Sequence, residues 1–403
     1  MARVLPTTRA QVSGHRFMRR RVEHGLMFGD IRMIHDPLAS RRRAAVFGLA
    51  AVVLIAGVMG LFAWMRPNPN PGEAPIIRAS DGSLYVRVGE AVHPVTNLTS
   101  ARLIAGAAEE PARVGDEHLA AMGRGIPVGI VAAPSMFAPQ DSPEAFWSVC
   151  NTTVIAGEAP EQLLIDEAVL ATDGSRQWLV TSEGRQLLPP ETSPEGRIVR
   201  RGLGVGAGTP VWAPPSQILT ALRELPPMVL PNPLPELLHT GEDTWLLHNG
   251  AVQKATPAQR AMLLDAGAAE KTVPRDALAS YPDGDLELRL PAHAPRWVDP
   301  ETRAVCVTQA RGGATLAQVP EGVELSGASI ATHFAGLAGG SVGVDSGHGY
   351  HVVSANGLRH SAPDKDTLAT VGAEHVEQVP WEIISLLPEG AELSREAALT
   401  ATY

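Results

Sequence analysis

Among the side chains that could do nucleophilic or metal chemistry, the two cysteines, Cys150 and Cys306, come first. Neither belongs to a Cys-x-x-Cys motif, has a histidine at ligand spacing, or has a basic neighbour that would favour a thiolate. An even pair in an oxidising compartment favours a disulfide, which would close a loop of about 157 residues and stabilise the fold by up to ~5 kcal/mol in the chain-entropy model. A reactive or metal-binding pair is the alternative.

The sequence has no Walker A motif for nucleotide phosphates. That motif, G-x-x-x-x-G-K-[ST], needs a lysine that reaches the phosphates from a glycine-rich loop, and no lysine here follows a glycine. The lysines are Lys254, Lys271 and Lys365. One glycine run could wrap a phosphate, but it opens no clear helix and leads into Pro210, which favours a flexible connector. The run contains Gly202, Gly204, Gly206 and Gly208. No cofactor is expected, and ATP enters only as the alternative.

Residues 339–343, Gly-Gly-Ser-Val-Gly, match the G-x-S-x-G string of serine hydrolases. The chemistry requires a strand before Ser341 and a helix after it, whereas the flanking residues predict a glycine-rich loop. Asp345, His348 and His351 could offer three metal ligands near one point, but the alternation of a strand sends neighbouring side chains to opposite faces. We therefore assign no catalytic residue and expect no metal.

A membrane anchor can be assigned directly. The run from Ala44 to Met65 has no charged or strongly polar residue and would form roughly 33 Å of helix, enough to span a ~30 Å hydrocarbon core. About forty residues precede it and no small-x-small cleavage site follows it, so an uncleaved anchor is favoured over a signal peptide. Residues 66–75, rich in proline, are expected to be a semi-rigid linker.

Charge predicts the orientation of the anchor. Residues 1–43 contain ten arginines and three acidic residues, a net charge of +7, whereas the rest of the chain contains 23 basic and 40 acidic residues, a net charge of −17. Because cytoplasmic flanks hold the excess of arginine and lysine, the N-terminus is expected in the cytoplasm and the acidic body outside the cytoplasmic membrane, in the periplasm. No nucleic-acid partner is expected.

The basic segment 1–43 has Val12, Met18, Val22 and Leu26 at roughly helical spacing, and Asp36-Pro37 is expected to end its helix. Such a basic amphipathic helix could lie on anionic lipid or dock on a cytosolic partner. Alternatively, its arginines serve only to set the topology.

An internal repeat organises the body. Four segments share an aromatic residue, a short apolar run, a turn at glycine, a second short run and a helix-like stretch, so each predicts a β-hairpin with one helix packed on it. Their aromatic residues are Tyr85, Trp178, Trp245 and Tyr350. The second segment keeps the hairpin but is expected to lose its helix in ETSPEGR. Asn249-Gly250 and Asn356-Gly357 are expected to stand at turns where positive φ is needed.

Two strand-rich segments, 111–164 and 285–345, separate the repeats, and each holds one cysteine. This order predicts an α+β body with pseudo-twofold symmetry, in which a central β domain joins four small repeat domains and the disulfide connects the halves. The expected boundaries are a cytoplasmic segment 1–43, a transmembrane helix 44–65, a linker 66–75, repeat 1 at 76–110, the first central segment at 111–164, repeat 2 at 165–225, the crossover and repeat 3 at 226–284, the second central segment at 285–345, and repeat 4 with the tail at 346–403. A propeller of equal blades is the alternative.

Several stretches of the chain resemble the EccB family, the conserved membrane component B of the type VII (ESX) secretion system. They are the opening TTRAQVSGHRFMRRRVEHGLMFGDIRMIHDPL, the stretch SDGSLYVRVGEAVHPVTNLTSARLIAG, WSVC at residues 147–150 and the closing VPWEIISLLPEGAELS. The resemblance implies a core subunit of the secretion channel that assembles with the motor ATPase EccC, the multi-span subunit EccD, the single-pass subunit EccE and further copies of itself. It also implies a cytosolic helix that contacts those partners.

Two kinds of function remain. In the first, the outer body is an assembly surface and its contacts are its function. In the second, the family's ATPase label is correct and an unrecognised site hydrolyses nucleotide, although the chain has no phosphate-binding lysine loop. A third hypothesis, binding of cell-wall glycan, would need aromatic platforms on exposed faces of the repeats. We favour assembly.

Overall fold

Thr8 and Gly29 set the ends of the first helix, α1 (Arg9–Phe28). The structure, a computed structural model, describes residues 7–33, 37–64 and 68–402. The Thr8 hydroxyl accepts from the Gln11 amide nitrogen and the Gln11 side chain accepts from the Thr8 amide, while Gly29 ends the helix with φ of +68°. The prediction that this helix continues to Asp36 is therefore wrong, because a left-handed glycine ends it earlier. Asp36 itself lies outside the described residues.

The second helix, α2 (Pro37–Trp64), contains the predicted anchor. Its stretch from Arg43 to Trp64, 22 residues, is long and apolar enough to cross a membrane. The helix starts before the apolar run, so Arg41 and Arg43 lie in its first turns. Met65, together with Arg66 and Pro67 of the predicted linker, lies outside the described residues. Residues 1–69 and 70–403 form separate compact units.

Short strands are the commonest regular elements of the second unit. In chain order they are β1 (Ile76–Arg78), β2 (Leu84–Val88), β3 (Ala91–Val95), β4 (Ala112–Arg113), β5 (Gly123–Arg124), β6 (Phe146–Cys150), β7 (Thr153–Gly157), β8 (Glu161–Gln162), β9 (Glu167–Thr172), β10 (Gln177–Thr181), β11 (Gly184–Leu187), β12 (Val211–Trp212), β13 (Glu224–Leu225), β14 (Glu236–His239), β15 (Thr244–His248), β16 (Ala251–Ala255), β17 (Glu270–Thr272), β18 (Arg296–Trp297), β19 (Ala304–Thr308), β20 (Gly313–Leu316), β21 (Val323–Glu324), β22 (His333–Gly336), β23 (Val342–Asp345), β24 (Tyr350–Val353), β25 (Arg359–Ala362) and β26 (Val376–Gln378).

The helices of this unit are short, and most begin at a capping side chain or a proline. They are α3 (Leu98–Ala105), α4 (Asp116–Ala121), α5 (Pro194–Gly202), α6 (Ser216–Ala221), α7 (Pro257–Asp265), the 3₁₀ helix Arg275–Ser280, α8 (Lys365–Val371), α9 (Trp381–Ile384) and α10 (Arg395–Ala398).

Four sheets share one plan. In each, three consecutive strands form an antiparallel meander, a helix follows, and the next strand returns parallel to the first strand of the meander. A later segment returns beside the third strand, as β5, as β13, or as a single bridge at Asp283 or Glu389. The strand orders are β4-β1-β2-β3-β5 in sheet 1, β12-β9-β10-β11-β13 in sheet 2, β16-β15-β14-β17 in sheet 3 and β25-β24-β23-β26 in sheet 4.

This plan is larger than the hairpin with one helix that the sequence predicts. The return strands are two or three residues long and carry no alternating pattern, so the sequence does not show them. Two expected boundaries consequently fall inside sheets, because β4 follows residue 110 and β23 precedes residue 346. The prediction that the second segment lacks its helix is also wrong: α5 begins at Ser193, whose hydroxyl accepts from the Gly196 amide, with Pro194 in its first turn.

The two Asn-Gly turns differ from each other. Asn249 and Gly250 have φ of +52° and +79°, which fits a two-residue hairpin between β15 and β16. In the longer turn between β24 and β25, only Gly357 has a positive φ, +81°. The loop there spans residues 354–358, so the asparagine does not need the left-handed conformation.

A seven-stranded central sheet uses strands from both segments that hold a cysteine. Its order is β21-β22-β7-β6-β19-β20-β8. Three larger clusters of buried apolar side chains fill the unit. One lies around the central sheet and includes Trp147 and Phe334, one is shared by sheets 1 and 4, and one is shared by sheets 2 and 3.

Candidate functional site

The disulfide lies at the middle of the central sheet. Cys150 on β6 and Cys306 on β19 are directly opposite each other in an antiparallel pair and are joined by a disulfide, with their Cα atoms 4.0 Å apart and 156 residues between them in sequence. Both side chains are fully buried. The predicted bond is therefore present, and it connects strands from the two strand-rich segments.

Next to the disulfide strand, Glu377 on β26 accepts hydrogen bonds from two groups that are distant in sequence and from one that is close. Its carboxylate accepts from the Ala145 amide (3.0 Å), from the indole nitrogen of Trp147, and from His375 Nε2 (3.0 Å). His375 and Glu377 are both buried. A buried carboxylate costs free energy unless such donors surround it, so this cluster connects sheet 4 to the central sheet.

A second buried carboxylate, Glu167 at the start of β9, connects sheet 2 to the segment before β19. It accepts from the Leu164 amide (3.1 Å) and from Arg303 (2.9 Å) and Arg296 (3.2 Å). Burial works against its charged form, but the hydrogen bonds from Leu164 and Arg303 and the charges of the two arginines outweigh burial and lower the pKa of Glu167. Glu167 is therefore ionised at neutral pH.

A polar side chain on the third strand of sheets 1, 2 and 4 bonds to the later return segment. His93 Nδ1 donates to the Ile126 carbonyl (3.0 Å), and His360 Nδ1 donates to the Ala391 carbonyl (2.8 Å). Because a carbonyl oxygen only accepts, each ring must carry its hydrogen on Nδ1. In sheet 2 the side chain of Gln186 donates to the Pro226 carbonyl (2.8 Å). These hydrogen bonds hold the short return segments against the third strand of each sheet.

The glycine-rich motifs occupy structural positions. Gly202 ends α5 close to Met262, and Gly204 has φ of +69° in the connection to β12. Ser341 is buried and pairs its backbone with Phe137, and a strand, β23, follows it instead of a helix. The geometry of a nucleophile elbow is therefore absent at this serine.

The side chains of the candidate ligand trio, Asp345, His348 and His351, make other contacts. Asp345 accepts from the Gly347 amide and from Gln378, whereas His351 is buried and stacks on Trp381 with ring centroids 5.5 Å apart. Burial and the charge of Arg359 lower the pKa of His351, so it is neutral at pH 7. Among the residues that the structure describes, no group of three histidine, cysteine or acidic side chains could hold a metal ion.

The four repeat aromatics differ in burial. Trp178 is fully buried with Arg185 over its ring at 4.3 Å, whereas Tyr85, Trp245 and Tyr350 are half-buried. Tyr85 and Tyr350 pack against apolar clusters of sheets 1 and 4. These four side chains therefore do not form a set of equivalent exposed platforms.

Exposed apolar side chains mark two candidate contact surfaces. On α1, Phe17, Met18, Val22 and Leu26 are exposed, although the helix also carries arginines. In the second unit, Ile165 is 93% exposed and Leu164 52% exposed in the turn between β8 and β9. Sequence reasoning missed this turn because QLLID reads as a continuation of a buried strand. Only the exposure of the side chains distinguishes it.

Comparisons with known proteins agree along the whole chain. A family model described as "Type VII secretion system ESX-1, transport TM domain B" matches residues 4–402. Among relatives, the "ESX-3 secretion system ATPase EccB3" of Mycolicibacterium smegmatis is 30% identical, over 98% of this chain and 90% of that protein. The "ESX-1 secretion system ATPase EccB1" of Mycobacterium tuberculosis is 28% identical, over 98% of this chain and 94% of that protein.

Solved structures show the same fold. A chain of an intact ESX-5 inner membrane complex superposes with a TM-score of 0.66 at 26% identity, covering 100% of this chain and 97% of that one. A chain of an EccB3 dimer from the ESX-3 core complex has a TM-score of 0.66 at 23% identity, covering 81% of this chain, and supports the fold alone. Because the family model covers nearly every residue, the chain belongs to the EccB family of type VII secretion systems.

Proposed function

We propose that this chain is a structural subunit of a type VII (ESX) secretion complex in the cytoplasmic membrane, and that its outer body works through contacts with other subunits and with copies of itself. The observation that carries the proposal is the full-length match to a chain of an assembled ESX-5 inner membrane complex. The body also exposes apolar side chains on well-defined turns, which is typical of surfaces that bind other proteins.

The proposed topology has residues 1–43 in the cytoplasm, α2 in the membrane and the body outside. The difference between +7 and −17 in net charge across the anchor supports this orientation. A disulfide in the body also fits an oxidising compartment. Under this topology, α1 is the candidate helix for contacts with the motor and multi-span subunits.

The proposed body has pseudo-twofold symmetry and four repeat domains. Cys150 and Cys306 lie directly opposite each other in an antiparallel strand pair. On one side of them Val149 lies opposite Val307, and on the other side the Asn151 amide donates to the Val305 carbonyl. A twofold axis that relates these two sides would therefore pass through the disulfide. Such an axis would exchange sheet 1 with sheet 3 and sheet 2 with sheet 4. The shared cores agree, because sheets 1 and 4 pack together and so do sheets 2 and 3.

The names of the relatives contain the word ATPase, but we do not propose ATP hydrolysis for this chain. This sequence has no Walker A motif, and the described glycine runs end a helix or precede a strand. The assembly hypothesis needs no nucleotide site. Turnover of ATP by the purified chain, freed of any motor subunit, would add an activity that these residues do not explain.

Co-purification tests the proposal. The full-length chain, extracted from its native membrane in mild detergent, should bring the motor ATPase and the multi-span subunit with it. Deletion of residues 1–43 also removes topogenic charge, so a second variant replaces only Phe17, Val22 and Leu26 by serine and keeps every arginine. Both variants should lose those subunits, while a chain that emerges alone at full length would overturn the proposal.

A further inference from the structure

The turn between β8 and β9, residues 164–166, holds two apolar side chains in solvent on a rigid backbone. The Glu167 amide donates to the Leu164 carbonyl (2.9 Å), and Glu167 Oε2 accepts from the Leu164 amide. From the opposite side, the Arg296 amide donates to the Asp166 carbonyl (2.7 Å) and His293 bonds to the Ile165 carbonyl (3.3 Å). Ile165 is therefore displayed in a fixed position, which lowers the entropic cost of binding through it.

A cavity of ≈ 220 Å³ with both polar and apolar lining residues lies beside this turn. Segment 288–295 crosses the face of sheet 2 and forms one wall, and Ile165 lies at the rim. Its apolar lining includes Ala168, Leu179, Leu203, Met228, Leu288 and Leu290. Since a water molecule in liquid occupies about 30 Å³, the space suffices for a branched aliphatic side chain.

Both signs of charge surround the same surface. Asp166 forms an ion pair with Arg296 (3.6 Å) and Glu287 with Arg289 (3.3 Å), and all four side chains are exposed or half-exposed. The chain beyond residue 43 carries a net charge of −17, so two bodies repel each other over most of their surface. A patch with balanced charge is where a second copy can approach without that repulsion, and Asp166 of one copy can face Arg289 of the other.

We propose that this surface is a contact between two copies of the chain, in which Ile165 of each copy enters the cavity beside Ile165 of the other. A projecting side chain, a cavity of suitable chemistry and charges of both signs on one surface are the elements of an isologous, self-complementary contact. The inference rests on the proposed function, since it names one surface through which the body meets a copy of itself.

Self-association of the full-length chain in detergent tests the contact. Ile165→Asp places a charge against the apolar lining residues of the other copy's cavity and should raise the dissociation constant at least about tenfold in sedimentation or mass photometry. Two controls accompany it. Ile165→Leu keeps an apolar side chain and should change little, and Val323→Asp introduces the same charge at another position, 51% exposed, and should also change little.

Cross-linking between copies is the second measurement, because the chain has no free cysteine. One copy carries Ile165→Cys and a copy with a different tag carries Ala292→Cys, so only a bond between copies can join the two tags. A mixed covalent dimer should form in native membranes. A pair with Val323→Cys in place of Ile165→Cys should not form it.

Two failures can be told apart. If Ile165→Asp associates like the parent chain and no mixed dimer forms, the contact is wrong, while co-purification with the other subunits still supports the proposed function. If the parent chain itself joins no complex in its native membrane, the proposed function fails, whatever the cavity binds.

Discussion

Buried carboxylates hold together regions of this body that are far apart in the chain. Glu167 bonds to Arg303 across 136 residues, and Glu377 bonds to Trp147 across 230 residues. In both cases the carboxyl group is nearly inaccessible to solvent, so its oxygen atoms depend on the protein donors around them for hydrogen bonds. Single substitutions at these positions should affect stability through the donors that they leave unpaired.

Glu377→Gln should destabilise the body by about 2–4 kcal/mol. The carboxylate now accepts from Ala145, Trp147 and His375, whereas the amide nitrogen of glutamine is itself a donor and would leave at least one of these groups without an acceptor. Urea unfolding followed by tryptophan fluorescence measures the loss. Glu374→Gln, at a neighbouring exposed residue, is the matched control and should change the unfolding free energy little. Equal effects of the two substitutions would contradict the role given to Glu377.

Glu167→Gln should remove a contribution to stability that depends on pH. The folded pKa of Glu167 lies below its ordinary value of 4.5, so the folded state binds this proton less readily than the unfolded chain does. The stabilisation is therefore fully present above about pH 4.5 and is lost as the pH falls from there through the folded pKa.

Unfolding free energies of the parent chain and Glu167→Gln, measured between about pH 7 and about pH 3, check this expectation. The difference between them should stay constant near neutrality and narrow below the ordinary pKa of 4.5. Glu161→Gln, at a largely exposed carboxylate near the same arginine, should show no comparable narrowing. A difference that is the same at every pH would contradict the linkage.

At the scale of the elements, each meander is completed by return strands that are too short to be stable alone. His93 on the third strand of sheet 1 and His360 on the third strand of sheet 4 show how the return segments are stabilised. Each ring lies against a glycine of the return segment, Gly125 or Gly390, where an added Cβ atom would overlap the ring. The absence of a side chain on that glycine is what lets the imidazole reach the next carbonyl.

Gly390→Ala should therefore destabilise sheet 4 by about 1–3 kcal/mol, because the ring of His360 is fully buried and cannot move aside. Gly125→Ala should cost less, since His93 is half-buried and its ring can rotate toward solvent. Thermal unfolding of both variants tests the ranking. A larger loss for Gly125→Ala would show that the ring contact does not determine the effect.

At the scale of the whole molecule, the disulfide joins strands that lie next to each other in the fold and 156 residues apart in sequence. Replacing both cysteines by alanine should lower the unfolding free energy by about 3–5 kcal/mol, mainly because the unfolded chain gains freedom. Denaturant unfolding of the double variant measures this. Reductant added to the native parent chain should act slowly, because both sulfur atoms are buried. Rapid reduction without unfolding would contradict that expectation.

Local sequence patterns were enough to predict much of the organisation of the chain. An uninterrupted apolar run has to be shielded from water, so the candidate membrane-spanning helix could be predicted from composition, and the arginines beside it predict an orientation. The pairing of Cys150 with Cys306 followed from their being the only two cysteines. The meander hairpins could be recognised from aromatic and apolar alternation with glycine turns, and the family from motifs spread over the whole chain.

The sequence by itself thus determined the candidate membrane-spanning helix, the disulfide, the hairpins and the family of this protein. Each depends on residue types within short segments or, for the disulfide, on the presence of only two cysteines. Only the tertiary structure decided the return strands, the sharing of cores between sheets 1 and 4 and between sheets 2 and 3, and the donors around Glu167 and Glu377. It also decided that Ile165 faces solvent instead of a core. These features depend on contacts between residues many positions apart in sequence, and a local sequence pattern does not show which distant side chain will make the contact.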